Sequence, residues 1–198
     1  MQKPAPVSEL HQQQLLTEIY QRWSPRAFSE KDLSSEEIDL LFEAARWAPS
    51  CANEQPWEFL VYSRTDSERE KMEGYLSGGN YWAKSASHLV VACARTRFKE
   101  SGKPNRHAYY DTGAAVLSLT LQAQHMGIHV HQMAGFDHEA LEQDLKFDEH
   151  TNAVAMIAIG VASENIEKLS EKHQQIEKGG RQRKDKDQFM HLNATSLD

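Results

Sequence analysis

Near the start of the chain the sequence reads Arg22-Trp23-Ser24-Pro25-Arg26. Pro25 favours an extended backbone at the residue before it, and in an extended chain alternate side chains share one face. Arg22, Ser24 and Arg26 then present two guanidinium groups and a hydroxyl on the same side. Guanidinium groups suit phosphate oxygens because their donors form a rigid fork. The stretch therefore predicts a site for a phosphate ester, although in isolation such a sequence is more typical of a solvated loop.

A second polar stretch follows a segment of helical periodicity and reads Ala48-Pro49-Ser50-Cys51-Ala52-Asn53-Glu54-Gln55-Pro56-Trp57. Pro49 disfavours helix at the preceding residue, so a helix is expected to end just before it. The stretch offers a hydroxyl, a thiol and two primary amides before an apolar run begins. Because amides donate and accept hydrogen bonds at once, they suit a polar heterocycle or a sugar-like chain.

Together the two stretches resemble the FMN-dependent nitroreductase family. That family opens with an Arg-x-Ser-x-Arg/Lys phosphate motif, a spacer helix and then Ala-Pro-Ser-x-x-Asn-x-Gln-Pro-Trp. Cys51 is a departure, since many relatives have Ser or Ala there. Near the other end of the chain, Arg181-x-Arg183-Lys184 resembles the family's C-terminal basic motif. The resemblance implies that four arginines converge on one FMN phosphate, whose charge is about −1.5 to −2: Arg22, Arg26, Arg181 and Arg183.

The resemblance also implies contacts to the flavin ring. Asn80 matches an asparagine that hydrogen-bonds the pyrimidine edge, although a turn asparagine after two glycines is nearly as plausible a reading. The segment 132–135 matches a stretch that passes flavin N5 and O4 through backbone N–H groups; Ala134 stands where many relatives have Glu. Pro49, Ser50, Cys51 and Asn53 are expected to reach the FMN held mainly by the partner subunit. Gln55 either touches the flavin or only holds the loop. The full predicted FMN set is Arg22, Trp23, Ser24, Arg26, Pro49, Ser50, Cys51, Asn53, Asn80, Gln132, Met133, Ala134, Gly135, Arg181 and Arg183.

Composition excludes several other classes of function. With 198 residues and a net charge of −7, the chain lacks the basic surface that nonspecific nucleic-acid or anionic-membrane binding needs. No apolar run approaches the ~20 residues needed to span a bilayer, and Met1–Gln14 has no apolar signal-peptide core. We therefore expect a cytoplasmic protein with one domain over residues 1–198, whose peripheral arms are residues 1–7 and 187–198.

Hydrophobic periodicity predicts an α+β fold with three layers, α/β/α. Strands are expected at 57–63, 88–95, 128–133 and 153–161. Helices are expected at 8–21 with Ser8 as N-cap, from Ser34 to about Trp47, at 66–76, from about Pro104 through a buried central body at 109–125, from Asp137 to about Lys146, and within 164–178. The resemblance adds a mixed, mainly antiparallel sheet around that central helix and a C-terminal extension that reaches the partner subunit.

Other chemistries find little support in the sequence. His129 and His131 alternate along a predicted strand, but ordinary strand histidines are a much better reading than metal ligands. Cys51 is a candidate reactive thiol without the paired histidine of a cysteine hydrolase, and Cys93 is expected in the core. A Gly-x-Gly-x-x-Gly fingerprint is absent from the sequence, so a Rossmann nicotinamide site is not predicted.

The resemblance implies a homodimer with two FMN molecules at its interface. NADH or NADPH would serve as a transient electron donor, and an electron-poor small molecule such as a nitroaromatic or a quinone would be reduced by ping-pong hydride transfer through flavin N5. No side chain is predicted to act as a catalytic acid or base, and no metal is expected. Two alternatives stay open: an FMN-binding module without efficient turnover, and another flavin reaction of the same fold such as dehalogenation or flavin fragmentation. The short segment 97–105, near which some relatives carry a lid, indicates either an open, permissive pocket or the lack of a dedicated substrate.

Overall fold

The computed structural model describes residues 9–193, so the predicted N-cap Ser8 and the arm 1–7 lie outside the described residues. Helices and strands follow one another in this order: α1 Glu9–Gln14, α2 Thr17–Gln21, α3 Ser35–Arg46, β1 Trp57–Ser63, α4 Arg69–Gly74, β2 His88–Arg95, α5 Ala108–His125, β3 His129–Met133, α6 His138–Asp144, β4 Thr151–Gly160 and α7 Glu171–Lys178. Short 3-10 turns lie at Cys51–Asn53, Gly78–Ser85 and Lys186–Gln188.

The four strands form one sheet in the order β1-β2-β4-β3. Every strand pair in the described part of the chain is antiparallel, with Val61 opposite Val90 and Val90 opposite Ile157. The continuous apolar run of β2 lies at the centre, where both faces are covered, as predicted. Cys93 on this strand is buried, and burial raises the pKa of its thiol to about 12. The strand β3 forms one edge of the sheet and leaves its outer side open to another segment.

Helices cover both faces of the sheet, which confirms the three-layer α+β prediction. On one face, Leu41 of α3 and Leu119 of α5 pack with Val90 of β2. On the other face, Met72 of α4 and Leu141 of α6 join a separate cluster with alternate β2 side chains such as Leu89 and Val91. Burial of each large apolar side chain contributes about 1.5–3 kcal/mol, so both helical layers are fixed firmly to the sheet.

The central helix α5 is buried on one face only. Leu119 and Ala123 are fully buried, whereas Tyr110 is 79% exposed and Leu117 is 51% exposed. The low charge content of α5 predicts a buried central helix that lies at or beneath a subunit interface. In the single chain one face is buried and the outer face is open.

Local signals set most helix ends. Ser34 and Glu37 form the predicted capping box, Asp137 accepts a hydrogen bond from the Ala140 N–H at 3.0 Å, and Gly127 ends α5 with φ +71°. Several boundaries differ from prediction, and the helix expected at 66–76 covers only Arg69–Gly74. The segment 8–21 divides into α1 and α2, because Leu16 takes extended angles (φ −55°, ψ 133°). The helix α5 starts at Ala108 because Pro104 pairs with Arg97 in an isolated bridge.

Candidate functional site

Three arginines from the two ends of the chain meet at one place. The Arg22 side chain donates to Ser24 Oγ at 3.2 Å, and Arg181 Nη1 donates to the Arg22 carbonyl at 2.8 Å. Burial lowers the pKa of Arg22, and the positive charges of Arg183 and Arg181 lower it further. Burial and the charge of Arg183 also lower the pKa of Arg181. Like charges held this close repel one another, so an anion bound among them would offset this electrostatic repulsion.

Arg26 takes a different position from the other three predicted phosphate ligands. Its Nη1 lies 3.5 Å from Glu177 Oε1 on α7, and its guanidinium stands 5.8 Å from the centre of a Trp82 ring. Together Arg26 and Trp82 line a cavity of about 620 Å³. Arg22, Arg181 and Arg183 are thus neighbours, whereas Arg26 contacts a carboxyl group 151 positions away along the chain.

The stretch 22–26 lies beside β3, against side chains of alternate residues on that strand. The Trp23 ring lies edge-on to His129, with 5.9 Å between ring centres. His131 Nδ1 lies 2.8 Å from the Pro25 carbonyl, and since that oxygen can only accept, Nδ1 carries the proton. The His131 ring lies 4.3 Å from that of Trp82. The edge strand thus joins the arginine cluster at one end to the Trp82 segment at the other.

His131 is uncharged at neutral pH. Burial lowers its pKa to about 4, and the charges of Arg26 and Arg22 act in the same direction, while the Pro25 hydrogen bond opposes them. The imidazole therefore lies within electrostatic reach of both arginines and adds no third positive charge between them.

This shift makes stability depend on pH in a defined direction. The folded-state pKa lies below the unfolded value of about 6.5, so the unfolded chain binds more protons between these values and stability falls as the pH drops from about 6.5 towards 4. We expect His131→Phe to cost about 1 kcal/mol at pH 7, through the lost hydrogen bond. Wild type loses about 2–3 kcal/mol between pH 7 and pH 4.5 through this histidine, so the variant should be the more stable protein at pH 4.5. Urea unfolding at both pH values measures it. An equal difference in stability at both pH values would exclude this role for His131. So would the same pH-dependent change in the control variant His138→Phe, whose side chain is exposed.

Gly135 is tied closely to the Gly78–Ser85 turn. Its carbonyl accepts from Asn80 Nδ2 at 2.8 Å and from the Ser77 N–H at 3.0 Å. A Cβ added at Gly135 would lie 2.7 Å from Ser77 Oγ and 2.9 Å from Asn80 Nδ2, closer than atoms can pack without movement. The predicted ring contacts Asn80 and Gly135 are thus neighbours, and a larger residue at 135 would displace the side chains of Ser77 and Asn80.

The rest of the segment 132–135 divides between surface and core. Gln132 and Ala134 are exposed, whereas the Met133 side chain is buried in the sheet core at 4% exposure. Met133 can therefore contact a ligand only through its backbone.

The second polar stretch forms a strained, well-anchored loop. Ala52, Asn53 and Gln55 all have positive φ, at 54°, 58° and 52°, a region that costs energy for residues other than glycine. The loop is held by hydrogen bonds from the Cys51 N–H to the buried Asp111 side chain at 3.0 Å and from the Gln55 N–H to Ser50 Oγ at 3.0 Å. Gln55 also donates to the Asn53 carbonyl at 3.2 Å, so it stabilises this loop.

The two predicted stretches lie at opposite ends of α5 within one chain. His125 at the C-terminal end of α5 contacts Glu18, whose carbonyl accepts from the Arg22 N–H. Asp111, near the N-terminal end, contacts Cys51. Fourteen residues of helix separate Asp111 from His125, about 21 Å at 1.5 Å per residue. The loop with Pro49, Ser50, Cys51 and Asn53 therefore does not meet the arginine cluster of its own chain.

Four residues that the sequence did not single out shape this region: Ser77, Trp82, Asp111 and Glu177. Trp82 follows Asn80 by two positions and was detectable as a large aromatic beside a predicted contact. Asp111 and Glu177 sit in helices, where helical spacing does not reveal which long-range contact a polar residue makes. In the described part of the chain, no group of three or more His, Cys, Asp or Glu residues is placed to hold a metal ion. Within residues 9–193, no helix is long and apolar enough to cross a membrane.

Comparison with known proteins identifies the family. A family model described as the nitroreductase family matches residues 19–80 and 76–161. The chain belongs to the nitroreductase family. Both polar stretches, the Gly78–Ser85 turn, β3 and Gly135 fall inside the matched residues, whereas Arg181 and Arg183 lie beyond them.

Individual relatives of this nitroreductase-family chain differ in the share of each sequence that aligns. A protein of Archaeoglobus fulgidus, provisionally named as an NADH dehydrogenase/NAD(P)H nitroreductase, is 33% identical over 116 residues, which is 59% of this chain and 64% of the relative. The oxygen-insensitive NAD(P)H nitroreductase of Salmonella typhimurium is 34% identical over 87 residues, 41% of this chain and 39% of that protein. The matched part thus spans less than two thirds of either relative. A solved structure described as an oxidoreductase containing FMN has a TM-score of 0.87 at 27% identity and covers 98% of this chain and 96% of its own.

Proposed function

We propose that this nitroreductase-family protein is an FMN-dependent NAD(P)H oxidoreductase that reduces electron-poor acceptors such as nitroaromatics or quinones. The observation that carries the proposal is the cluster of Arg22, Arg181 and Arg183, drawn from both ends of the chain and held together against mutual repulsion. Binding of a dianionic phosphate would relieve the repulsion among these arginines, and this explains why an acidic protein would hold such a cluster. The names of the relatives, which include FMN and NAD(P)H, support the choice of cofactor and donor.

The residues present fit FMN at both ends. Ser24 and the three clustered arginines offer charged and hydroxyl donors for the phosphate. At the far end of β3, Asn80 donates a hydrogen bond to the Gly135 carbonyl, and a side chain at 135 would disturb this contact, which supports a ring-binding role for the two residues. When bound, FMN supplies hydride transfer between the nicotinamide and the acceptor. The chain's part is to bind, to orient the ring, and to aim backbone donors at its N5 edge.

We further propose that the functional unit is a homodimer in which each loop 49–53 completes the partner's site. The separation of about 21 Å along α5 supports this, since one chain alone leaves the loop far from its own arginines. Exposed apolar side chains on α3 and α5 provide a surface to bury, chiefly Leu40, Trp47, Tyr110 and Leu117. Phe189, Met190 and Leu192 are also exposed, which supports a C-terminal extension that packs on the partner.

Subunit complementation tests this arrangement. Arg22→Ala/Arg183→Ala and Asn53→Trp each place a defect in every site of a homodimer, and both proteins should retain little FMN. After exchange, a mixed dimer holds both defects in one site and none in the other. We expect an equal mixture to regain FMN in about a quarter of its sites. No recovery after verified exchange, or a monomer that keeps tightly bound FMN in sedimentation, would contradict the shared site.

Steady-state kinetics test the reaction class. If donor and acceptor use one cavity in turn, initial rates with NADH or NADPH against a nitroaromatic or quinone should give parallel double-reciprocal lines. Intersecting lines would exclude the alternating scheme. A bound flavin with no turnover for either donor would favour the alternative of an FMN-binding module.

A further inference from the structure

Glu177 is a buried carboxyl group that the phosphate and ring contacts do not explain. The residue is 1% exposed, its Oε1 lies 3.5 Å from Arg26 Nη1, and its Oε2 has no hydrogen-bond partner among the described residues. Burying a carboxyl group with so few partners is costly. The contact is also specific, since it joins α7 to a residue near the start of the chain.

Arg26 belongs to the ring end of the site and not to the phosphate end. Its guanidinium stands over Trp82, which lies two residues from Asn80 in the turn that binds Gly135. Arg22, four residues earlier, lies with Arg181 and Arg183 instead. Arg22 and Arg26 thus have different partners in the fold, which points to different parts of a bound ligand.

A positive charge at the ring end favours the reduced form of a flavin. Reduction places negative charge on the pyrimidine part of the ring, and protein charges near that edge tune the cofactor. An unopposed arginine there would raise the reduction potential. A carboxyl group paired with that arginine opposes the effect.

We propose that Glu177 is a positioning residue that holds Arg26 at the flavin's ring edge and, by balancing its charge, lowers the reduction potential of bound FMN. This inference rests on the proposed function. One helix then serves both ends of the cofactor, because α7 carries Glu177 to Arg26 and ends at Lys178, just before the segment that delivers Arg181 to Arg22.

The test is the midpoint potential of the FMN-loaded protein, measured by anaerobic dye equilibration. Glu177→Gln keeps the shape and removes the charge, and we expect it to favour reduced FMN about tenfold, which is about 30 mV for a two-electron couple. Arg26→Gln should shift the potential the opposite way, and Arg26→Lys should stay near wild type. Glu171→Gln removes the same charge from an exposed position on the same helix and should leave the potential unchanged.

Opposite signs are the result that separates charge balance from a merely structural role, since loosening the site would move both variants in one direction. An unchanged or lowered potential in Glu177→Gln would overturn the proposal. So would an unchanged potential in Arg26→Gln, or loss of FMN from Glu177→Gln, which would make Glu177 a binding residue only. A wild-type protein that binds no FMN would instead refute the proposed function, before any variant is compared.

Discussion

Arg22→Ala/Arg183→Ala is expected to strip most FMN from the protein. Each charge-assisted hydrogen bond contributes about 1.5–3 kcal/mol, so losing two weakens binding by about 3–6 kcal/mol, a factor of at least about a hundred. Of the three clustered arginines only Arg181 would remain. The Ser24 hydroxyl would also lose the hydrogen bond that it accepts from Arg22. Flavin fluorescence titration of the apo-protein measures the change, with FAD as a second ligand that should bind more weakly than FMN.

The control removes the same net charge from exposed positions, as in Lys71→Ala/Lys103→Ala, and should keep wild-type affinity. Because the arginines repel one another in the absence of an anion, the double arginine variant should unfold in its apo form at no lower temperature than wild type. Full FMN occupancy in that variant would refute the phosphate assignment.

Gly135→Val should slow flavin reduction by a factor on the order of 10²–10³, which is the usual cost of losing one preorganised backbone donor. A side chain at 135 would meet Ser77 Oγ at 2.7 Å and Asn80 Nδ2 at 2.9 Å. The Ser77 and Asn80 side chains, or the backbone at 135, must then shift, which disturbs the contact beside the proposed ring edge. Cys51→Ala should lower the rate only modestly, since no essential proton is assigned to that thiol. Stopped-flow absorbance under NADH or NADPH measures both variants.

Two controls isolate the steric cause. Gly74 has no neighbour within 4 Å of an added Cβ, so Gly74→Val should leave reduction unchanged. The double variant Gly135→Ala/Ser77→Ala should show faster flavin reduction than Gly135→Ala alone, because Ser77→Ala removes the nearest contact of the added Cβ. If Cys51→Ala abolished reduction and Gly135→Val left it intact, a cofactor-centred mechanism would be wrong.

The sequence predicted those parts of the fold that depend on local pattern. The apolar run of β2, the Ser34 capping box and the Asp137 cap each act over a few residues, and each is found as expected. Which residues form the open outer face of α5 was not predicted, because a helix poor in charge has the same composition whether it is buried by its own chain or exposed with apolar side chains such as Leu117.

The candidate site was less accessible to sequence because its contacts join distant positions. The Arg26–Glu177 pair spans 151 positions, and helical spacing alone does not assign Glu177 a partner. The positive φ angles of Ala52 and Gln55 also carry no sequence signal, since neither residue is glycine or asparagine. Asn80 could be read as a turn residue or as a ring contact, and its hydrogen bond to Gly135 now places it beside the predicted N5 segment.

The most direct test of the central claim is the visible spectrum of the purified protein under anaerobic conditions. The account predicts a yellow protein whose FMN absorbance bleaches when NADH or NADPH is added and returns when a nitroaromatic or quinone follows. A protein that holds FMN but does not bleach with either donor, or one that takes up no FMN when the cofactor is supplied, would contradict it.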